Sequence, residues 1–440
     1  MSEPTRRPVA VLSTAGLTPG LLRLMPHLRA VGEQGFAAPL DTVLPAVAAT
    51  AQATFATGLL PRDHGAVGSG WYLRDQGRVM ARGEFAGLVS GETVWQAARA
   101  ADPRHTAASV HCDWSAGAEV DLLVAPSHRH RHDGRLTACC DTVPAGLRDE
   151  LAAELGAPPL VRCGGGTAGL EETHWIAGAA RHVVTRGRPD LLWVQIPYLD
   201  HELQRSGPVG PQAEKAAAEV DAALAPLLGE LADRGTTVLV LSGHAVLPVC
   251  RPVPLNRELR RAGLVSVGLA AGKEYLRPWT SRAFAVTDRQ AAHVYVADPA
   301  DLERARRVLG EVAGVDEVLD RSQQADFGLD HPNGGELLAI AEPDAWFSPD
   351  YWLDEAVAPD FGRDMEPEGR PGTDPTELFL EAGAATARID PLRIRGSHGR
   401  LPEDGREGPL LLCSDPAPQQ VRYHATEVKD LILRLNGLAR

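Results

Sequence analysis

Short apolar runs alternate along this chain with longer stretches in which apolar residues recur at helical spacing. The runs predict buried strands, and the stretches between them predict helices. The clearest helix covers residues 210–233, where Val220, Leu224 and Leu231 lie on one face. Strands and helices in alternation predict an α/β fold with a largely parallel, layered sheet. The predicted strands are residues 9–13, 42–47, 121–125, 190–196, 236–241, 292–296, 337–341 and 409–413.

Two strand-to-helix junctions lie near the start of the chain. The strand at residues 9–13 is followed by a Thr-Ala-Gly turn and by helical spacing over residues 21–31. The strand at residues 42–47 leads into an Ala-rich helix that Gly58 ends, as glycine commonly does at a helix C-terminus. Because α/β sheets bind ligands at such junctions, we expect functional residues there. A terminal amphipathic helix is predicted over residues 425–438.

Two regions lack this regular alternation. Residues 67–144 contain an Arg/His tract, and residues 251–395 are rich in Pro, Asp and Trp. Both regions are candidate insertions. We therefore expect a core formed by residues 1–250 together with residues 396–440, and an inserted, cap-like region formed by residues 251–395.

Composition narrows the classes of function. The chain has 440 residues and a formal net charge of −14, which argues against a nucleic-acid polymer or an anionic membrane as partner. The apolar run at residues 9–12 is too short for a signal sequence, and no apolar stretch reaches membrane-spanning length. Six scattered cysteines without a CxxC pair predict reduced thiols. We expect a cytoplasmic protein, and its oligomeric state is left open.

Four blocks of sequence resemble those of a known family. They are LPAVAATAQATFATGLLPRDHGAVGSGWY at residues 44–72, IPYLDHELQRSGP at 196–208, VLVLSGHAV at 238–246 and GSHGR at 396–400. In this order they resemble the type I phosphodiesterase/nucleotide pyrophosphatase branch of the alkaline phosphatase superfamily. The resemblance implies a three-layer α/β sandwich, with helices on both sides of a central, mostly parallel sheet. It is closest to a bacterial subgroup, some members of which accompany secondary-metabolite genes.

The resemblance also implies metal ligands. Asp200 stands where the family has a metal-binding Asp, and Gln204 stands four residues later where the family has His. His244 occupies the His of a Ser-Asp-His-Gly block, in which Gly243 replaces the Asp. His398 in GSHGR aligns with a late His of the family. Asp200, His244 and His398 are therefore the implied ligands.

Other positions depart from the family pattern. Ala15 stands in place of an Asp, and Ala48 stands at the position of the nucleophilic Thr or Ser. Thr50 is the nearest hydroxyl, and it is a candidate nucleophile or a hydrogen-bonding residue at the start of the helix. These replacements argue against a conventional dizinc centre.

A centre with a single divalent cation remains chemically reasonable. Zinc favours imidazole and carboxylate ligands, and three such ligands leave one coordination position open. Asp200 and His398 could be joined by His244 or by His331, which precedes an NGG turn in family-like surroundings. We expect one zinc-type ion rather than two, or no ion at all.

Two functions compete. The first is a metal-dependent hydrolase of phosphodiester, pyrophosphate or phosphate-ester bonds in a small metabolite or nucleotide. Gln204 and Arg400 are its candidate substrate-binding residues, since a guanidinium matches phosphate oxygens. The second is an inert pseudoenzyme that binds a phosphorylated ligand, a nucleotide or a protein partner. The losses at Ala15, Ala48 and Gly243 favour the second function, and the framework around Asp200 and GSHGR favours the first.

Two further motifs carry weaker signals. SHRHRHD at residues 127–133 could bind a metal or an anion, but it is also typical of an exposed basic loop. CGGGT at residues 163–167 lacks the Gly-Lys-Ser/Thr of a P-loop and predicts a flexible loop.

Overall fold

The computed structural model describes residues 7–80, 83–130, 136–159, 169–359, 364–365, 378–379, 387–403 and 407–438. The CGGGT motif and the tip of the SHRHRHD motif lie outside the described residues. Within these ranges, no helix combines the length and the apolar character needed to cross a lipid bilayer.

Strands and helices alternate through much of the chain. The strands are β1 (Val9–Thr14), β2 (Phe36–Asp41), β3 (Trp71–Leu73), β4 (Arg78–Met80), β5 (Ala107–Val110), β6 (Leu122–His130), β7 (Leu136–Val143), β8 (Leu191–Ile196), β9 (Thr237–Leu241), β10 (Leu247–Pro248), β11 (Arg251–Val253), β12 (Val267–Ala270), β13 (Lys273–Leu276), β14 (Ala283–Asp288), β15 (Ala291–Val296), β16 (Val315–Asp320), β17 (Leu337–Ala341), β18 (Ala345–Phe347), β19 (Asp364–Met365), β20 (Leu378–Phe379), β21 (Ala387–Ile389), β22 (Gly396–Ser397), β23 (Leu410–Cys413) and β24 (Tyr423–His424). The α-helices are α1 (Pro19–Leu22), α2 (Pro26–Gln34), α3 (Ala48–Thr57), α4 (Pro61–His64), α5 (Val94–Ala101), α6 (Leu147–Leu155), α7 (Gly169–Gly187), α8 (Tyr198–Ser206), α9 (Pro211–Asp233), α10 (Leu255–Arg261), α11 (Leu302–Gly310), α12 (Arg321–Asp326) and α13 (Val428–Leu435).

A nine-stranded sheet forms the centre of the molecule, in the order β24-β2-β23-β9-β1-β8-β5-β6-β7. β1 pairs in parallel with both β8 and β9, and β5 pairs in parallel with β8 and β6. β23 and β7 run antiparallel to their neighbours. β1, β8 and β9 are buried along their whole length, which explains why each appears in the sequence as a continuous apolar run.

Helices cover both faces of this central sheet. On one face, α2, α7 and α9 pack over a core that includes Leu12, Val194 and Leu224. On the other face, α3, α5 and α13 pack over a core that includes Phe55 and Leu239. The predicted three-layer α/β sandwich with a mostly parallel sheet is therefore confirmed.

A second sheet of four antiparallel strands, in the order β14-β15-β17-β16, lies between residues 283 and 341. Its core joins Val294 and Leu338 to Leu44, Ala66 and Trp71 from the first part of the chain. The region from residue 251 onward thus contains a sheet of its own but shares its core with earlier segments. The predicted boundaries of an insertion at residues 251 and 395 stay a prediction.

Some predicted elements differ from the structure. The helix expected over residues 21–31 is divided, because Pro26 begins α2 at a position where its missing N–H needs no helical partner. The strand predicted at residues 42–47 is wrong: the strand is β2, and Ala46 forms an isolated bridge to Gly399. Residues 42–45 instead form a buried loop between β2 and α3, so their apolar character reflects burial outside a sheet. The strands predicted at 292–296 and 337–341 exist as β15 and β17, but in the second sheet.

Candidate metal centre

Three segments bring Asp200, His244 and His398 to the carboxyl edge of the central sheet. β8 runs into α8, in whose first turn Asp200 lies. His244 lies in the loop that follows β9, and His398 follows β22 directly. Because β8 and β9 are both parallel to β1, their carboxyl ends lie at the same edge. This is the edge where α/β sheets bind ligands.

Asp200, His244 and His398 form a compact, buried cluster, called here the Asp-His group. His244 Nε2 lies 3.0 Å from Asp200 Oδ1, and His398 Nε2 lies 3.6 Å from the same oxygen. The two imidazole rings stack with centroids 3.9 Å apart and planes inclined by 22°. One ligand atom from each of the three residues lies within 4.8 Å of the other two. The structure therefore brings together three of the four residues that the sequence analysis offered as metal ligands.

A backbone contact orients His398. Its Nδ1 donates a hydrogen bond to the carbonyl oxygen of Ala46 at 3.0 Å. In a neutral imidazole the other nitrogen then carries a lone pair, which faces Asp200 Oδ1. Two electron-rich atoms thus face each other across 3.6 Å. A cation bound between them would stabilise this arrangement.

Gln204 holds the other oxygen of the carboxylate. It lies one turn after Asp200 on α8, and its Nε2 donates to Asp200 Oδ2 at 2.8 Å. Both residues are buried, so the bond fixes the carboxylate with Oδ1 toward the imidazoles. Gln204 thus orients Asp200 in this structure, and its contact with a substrate stays a prediction.

Burial and charge set the protonation states of the Asp-His group. Burial by itself raises the pKa of Asp200, but its surroundings, including the hydrogen bond that its Oδ1 accepts from His244 Nε2, outweigh burial and hold that pKa well below its usual range. Burial lowers the pKa of His398 well below its ordinary value, and His244 and Arg289 lower it further. An ionised carboxylate and a neutral imidazole are the forms that bind metal ions.

Two buried polar atoms in or next to the Asp-His group along the chain have no hydrogen-bond partner among the described residues. They are His244 Nδ1 and Ser397 Oγ, the latter one residue before His398. Buried polar atoms normally have partners, and the exceptions often mark a place for a water molecule or an ion.

The donors fit one divalent transition metal ion. Two imidazole nitrogens and a carboxylate oxygen are typical zinc ligands, and three protein ligands leave a fourth position open. Hydrogen bonds from Gln204 to Asp200 and from His398 to Ala46 orient two of these ligands from outside. Such outer contacts are a regular part of protein metal sites.

Small residues occupy the positions where the family pattern has a second metal site. Ala15 and Ala48 carry no ligand atom. Gly243 approaches α3 so closely that a Cβ at this position would lie 2.7 Å from the Cβ of Ala51. A carboxylate at residue 243 would therefore require α3 to move. Residues 15, 48 and 243 therefore contribute no ligand atom to a second metal site.

Thr50 lies in the first turn of α3, which Ala48 begins. Its side chain is fully buried, and its Oγ1 has no hydrogen-bond partner among the described residues. The residue before the helix, Val47, makes no side-chain capping bond either. The hydroxyl of Thr50 is thus enclosed by protein, and its role as nucleophile or as hydrogen-bonding residue stays a prediction.

The structure places the two remaining candidate residues outside the Asp-His group. His331 lies against Gly65, where a Cβ on the glycine would be 3.1 Å from the imidazole ring. Arg400 Nη1 lies 2.6 Å from Asp316 Oδ2 and also donates to the carbonyl oxygen of Ala341. The guanidinium of Arg400 is thus engaged with the second sheet, and neither residue joins the three clustered ligands.

Arg289 approaches the Asp-His group from the second sheet and was missed by the sequence analysis. It lies in the turn between β14 and β15 with a φ of 64°, a left-handed conformation that is uncommon for a residue with a side chain. The next residue, Gln290, donates its backbone N–H to the carbonyl oxygen of His398 at 2.8 Å. No motif marks Arg289, because the contact arises only when the second sheet packs on the first.

Solved structures with the same fold include two enzymes. Phosphonoacetate hydrolase from Sinorhizobium meliloti 1021, in complex with phosphonoacetate, aligns with a TM-score of 0.66 and 18% identity, covering 99% of this chain and 96% of that chain. Murine ectonucleotide pyrophosphatase/phosphodiesterase 5, in an inactive form in complex with AMP, aligns with a TM-score of 0.61 and 14% identity, covering 98% and 96%. Identities this low establish the fold alone.

The family is established by the sequence. No curated protein matches the chain at a significant level. Residues 9–374, however, match the sequence profile of the family described as type I phosphodiesterase / nucleotide pyrophosphatase. The matched range covers most of the chain, and it includes the first three of the four sequence blocks that carry the resemblance, while GSHGR at residues 396–400 follows it. The chain therefore belongs to the type I phosphodiesterase / nucleotide pyrophosphatase family, whose hydrolases act on phosphate-ester type bonds in small molecules.

Proposed function

We propose that this protein hydrolyses a phosphate-ester type bond of a small phosphorylated molecule at a centre that binds one divalent cation. The observation that supports the proposal is the buried Asp-His group, in which two imidazole nitrogens lie 3.0 and 3.6 Å from one oxygen of Asp200. A cation held by these residues would supply Lewis-acid stabilisation of negative charge on the phosphoryl group. Zinc is the ion we propose, because the donors are imidazole and carboxylate.

Groups of the chain itself would bind and orient the phosphoryl group. The first backbone N–H groups of α3 have no helical partners, and a helix N-terminus attracts anions. Arg289 adds positive charge close enough to lower the pKa of His398. Asp200 remains ionised and His398 remains neutral at neutral pH, so the group is ready to hold a cation instead of protons.

We propose Thr50 as the nucleophile to be tested. It carries the hydroxyl of the first turn of α3, and this hydroxyl is buried without a partner among the described residues. In the proposed step, Thr50 Oγ1 forms a bond to phosphorus, the bond from phosphorus to the leaving oxygen breaks, and the hydroxyl proton passes to that oxygen. Water then releases the phosphate and restores the hydroxyl.

The proposed substrate class follows from ligands of related structures. Phosphonoacetate hydrolase is known in complex with phosphonoacetate, and the murine pyrophosphatase/phosphodiesterase in complex with AMP. Both ligands are small and carry a phosphorus oxyanion. We propose the same chemical class, a small phosphorylated metabolite or a nucleotide, for this chain.

A binding protein without turnover is the second candidate function. Ala48 replaces the nucleophile of the family pattern, and Gly243 packs against α3 where the pattern has a metal ligand. A protein of this kind would bind the same class of phosphorylated ligand at the same edge of the sheet. It would release the ligand unchanged.

Hydrolysis of bis(4-nitrophenyl) phosphate distinguishes the two candidates. We expect turnover that is lost on metal removal, restored by zinc or manganese, and abolished in Asp200→Ala. If Thr50 is the nucleophile, Thr50→Val loses turnover while it retains bound metal, and Thr280→Val at an exposed position serves as the control. Turnover that survives both metal removal and Asp200→Ala would contradict the proposed centre. Metal binding without turnover would favour the second candidate.

A further inference from the structure

A cavity of about 320 Å³ lies between α3 and α5 on one face of the central sheet. Its lining includes Gln52 from α3, Trp95 from α5 and Asp113 from the loop after β5. None of the three residues of the Asp-His group lines the cavity. The volume falls within the range of about 300–1,000 Å³ that is usual for small-molecule sites.

Aromatic side chains form the apolar part of the cavity wall. They are Phe85, Trp95, Trp114 and Trp193. The rings of Trp95 and Trp193 meet edge to face, with centroids 6.2 Å apart and planes at 84°. Aromatic walls of this kind bind flat apolar groups, and their electron-rich faces attract organic cations.

The charge of the cavity wall is negative. Among the described residues that line it, Asp113 and Glu119 are acidic, and none is Lys, Arg or His. Gln52 Nε2 and Gln195 Nε2 donate to Asp113 Oδ2 at 3.3 and 3.1 Å, which fixes the carboxylate at the wall. Such a wall repels a phosphate group and attracts an ammonium group.

The backbone that carries Asp113 is held in an unfavourable conformation. His111 and Trp114 have φ values of 61° and 53°, in the left-handed region that residues with side chains rarely adopt. Trp114 Nε1 donates to the carbonyl oxygen of Ala49 at 2.8 Å, which fixes this loop against α3. The loop thereby presents both Asp113 and Trp114 to the cavity. Strain of this kind is common where a loop must place ligand-binding side chains.

We infer that this cavity is a second binding site, specific for a small organic cation. The expected ligand is an amine on a flat or ring-shaped apolar body. Its ammonium would pair with Asp113, and its apolar body would contact Trp95 and Trp114. The inference goes beyond the proposed hydrolysis and does not depend on it, because the cavity contains none of the Asp-His residues.

Calorimetric titration of the full chain tests the charge preference. We choose 2-(4-methoxyphenyl)ethylamine as the probe and 2-(4-methoxyphenyl)ethanol as its uncharged counterpart. The amine is expected to bind about tenfold or more tightly than the alcohol, because it alone carries the cation that pairs with Asp113 and the aromatic faces. Equal affinities for the two probes, or no binding of either one, would overturn the inference.

Variants locate the binding. In Asp113→Asn, the preference for the amine over the alcohol should disappear, while in Trp95→Ala both probes should bind several-fold more weakly, because part of the aromatic wall is lost. Trp279→Phe, at a Trp that is 64% exposed, is the matched control and should leave both affinities unchanged. If Asp113→Asn does not fold, Glu119→Gln must reduce the preference at least about twofold. A preference that persists in Asp113→Asn, or in Glu119→Gln when only that variant folds, would overturn the inference.

The cation could be a separate ligand or the cationic end of the phosphorylated substrate. Inhibition of bis(4-nitrophenyl) phosphate hydrolysis by the amine separates these sources. Competitive inhibition supports a cavity that receives part of the substrate, whereas binding without competition supports a separate ligand. Binding itself is read by calorimetry, so a protein without turnover would still give a result for the cavity.

Discussion

The hydrogen bond from Gln204 to Asp200 determines which carboxylate oxygen faces the imidazoles. Gln204 Nε2 donates to Asp200 Oδ2 at 2.8 Å, and Gln204→Leu removes this donor. The buried Oδ2 then lacks that hydrogen bond. We expect zinc affinity to fall about 10–100-fold, as it does when outer contacts of metal ligands are removed. Competition with a chromophoric chelator measures the change. Gln212→Leu, at an exposed position on α9, is the control, and an unchanged affinity in Gln204→Leu would show that Asp200 needs no positioning.

His293 should make stability depend on pH in a defined direction. Its Nε2 donates to the carbonyl oxygen of Val67, and its Nδ1 accepts from the backbone of Gly335. Burial lowers the pKa of His293 to about 4. Because its unfolded pKa is about 6.5, the unfolded state binds more protons between these values, so the free energy of unfolding decreases as pH falls through that window.

Urea unfolding at several pH values measures this effect. Between about pH 6.5 and pH 4, wild type should lose up to about 3 kcal/mol more stability than His293→Gln. His64, whose pKa burial lowers to about 3, contributes in the same direction in both proteins and cancels in the comparison. His27→Gln, at an exposed position, should keep the wild-type slope. Parallel curves for wild type and His293→Gln would contradict the expectation.

Some residues of the Asp-His group and of the cavity could be predicted from the sequence, and others could not. Asp200, His244 and His398 each stand in a block that resembles the family, and the structure clusters them. Arg289 and Asp113 stand in no such block. Their positions depend on how one sheet packs on another and on a strained loop, and neither property leaves a local pattern in the sequence.

At the level of elements, the close packing of α3 on the loop after β9 has a measurable consequence. In Gly243→Ala the new Cβ would lie 2.7 Å from Ala51 Cβ, so we expect a loss of about 1–3 kcal/mol in the free energy of unfolding. Adding Ala51→Gly should recover part of it, although glycine in a helix itself costs about 1 kcal/mol. Gly229→Ala, with nothing within 4 Å of its Cβ, is the control. Strictly additive effects of Gly243→Ala and Ala51→Gly would contradict this contact.

Most predicted elements, long or short, are present in the structure, and the exceptions are the helix expected over residues 21–31 and the strand expected at residues 42–47. The helix expected over residues 210–233 is α9, and the apolar runs after residues 190 and 236 are β8 and β9. The run at residues 42–47 looked like a strand, but the chain pairs one segment earlier, at β2. Apolar character there reflects burial of a loop beside the Asp-His group, which periodicity cannot distinguish from burial in a sheet.

For the whole molecule, the proposed cation would join parts of the chain that are far apart in sequence. Asp200, His244 and His398 come from β8–α8, the loop after β9 and the segment after β22. The first sheet supplies the carboxyl edge, and the second sheet supplies Arg289 through the turn that binds the His398 carbonyl oxygen. The three-layer fold was predictable from alternation of elements, while the contact between the two sheets was not.

Zinc titration of the metal-free full chain by calorimetry tests the central claim most directly. We expect one equivalent of zinc per chain, lost in Asp200→Asn and retained in Asp113→Asn, whose side chain lines the cavity between α3 and α5. Two equivalents per chain, no binding, or binding that is undiminished in Asp200→Asn would contradict a single-cation centre at the Asp-His group.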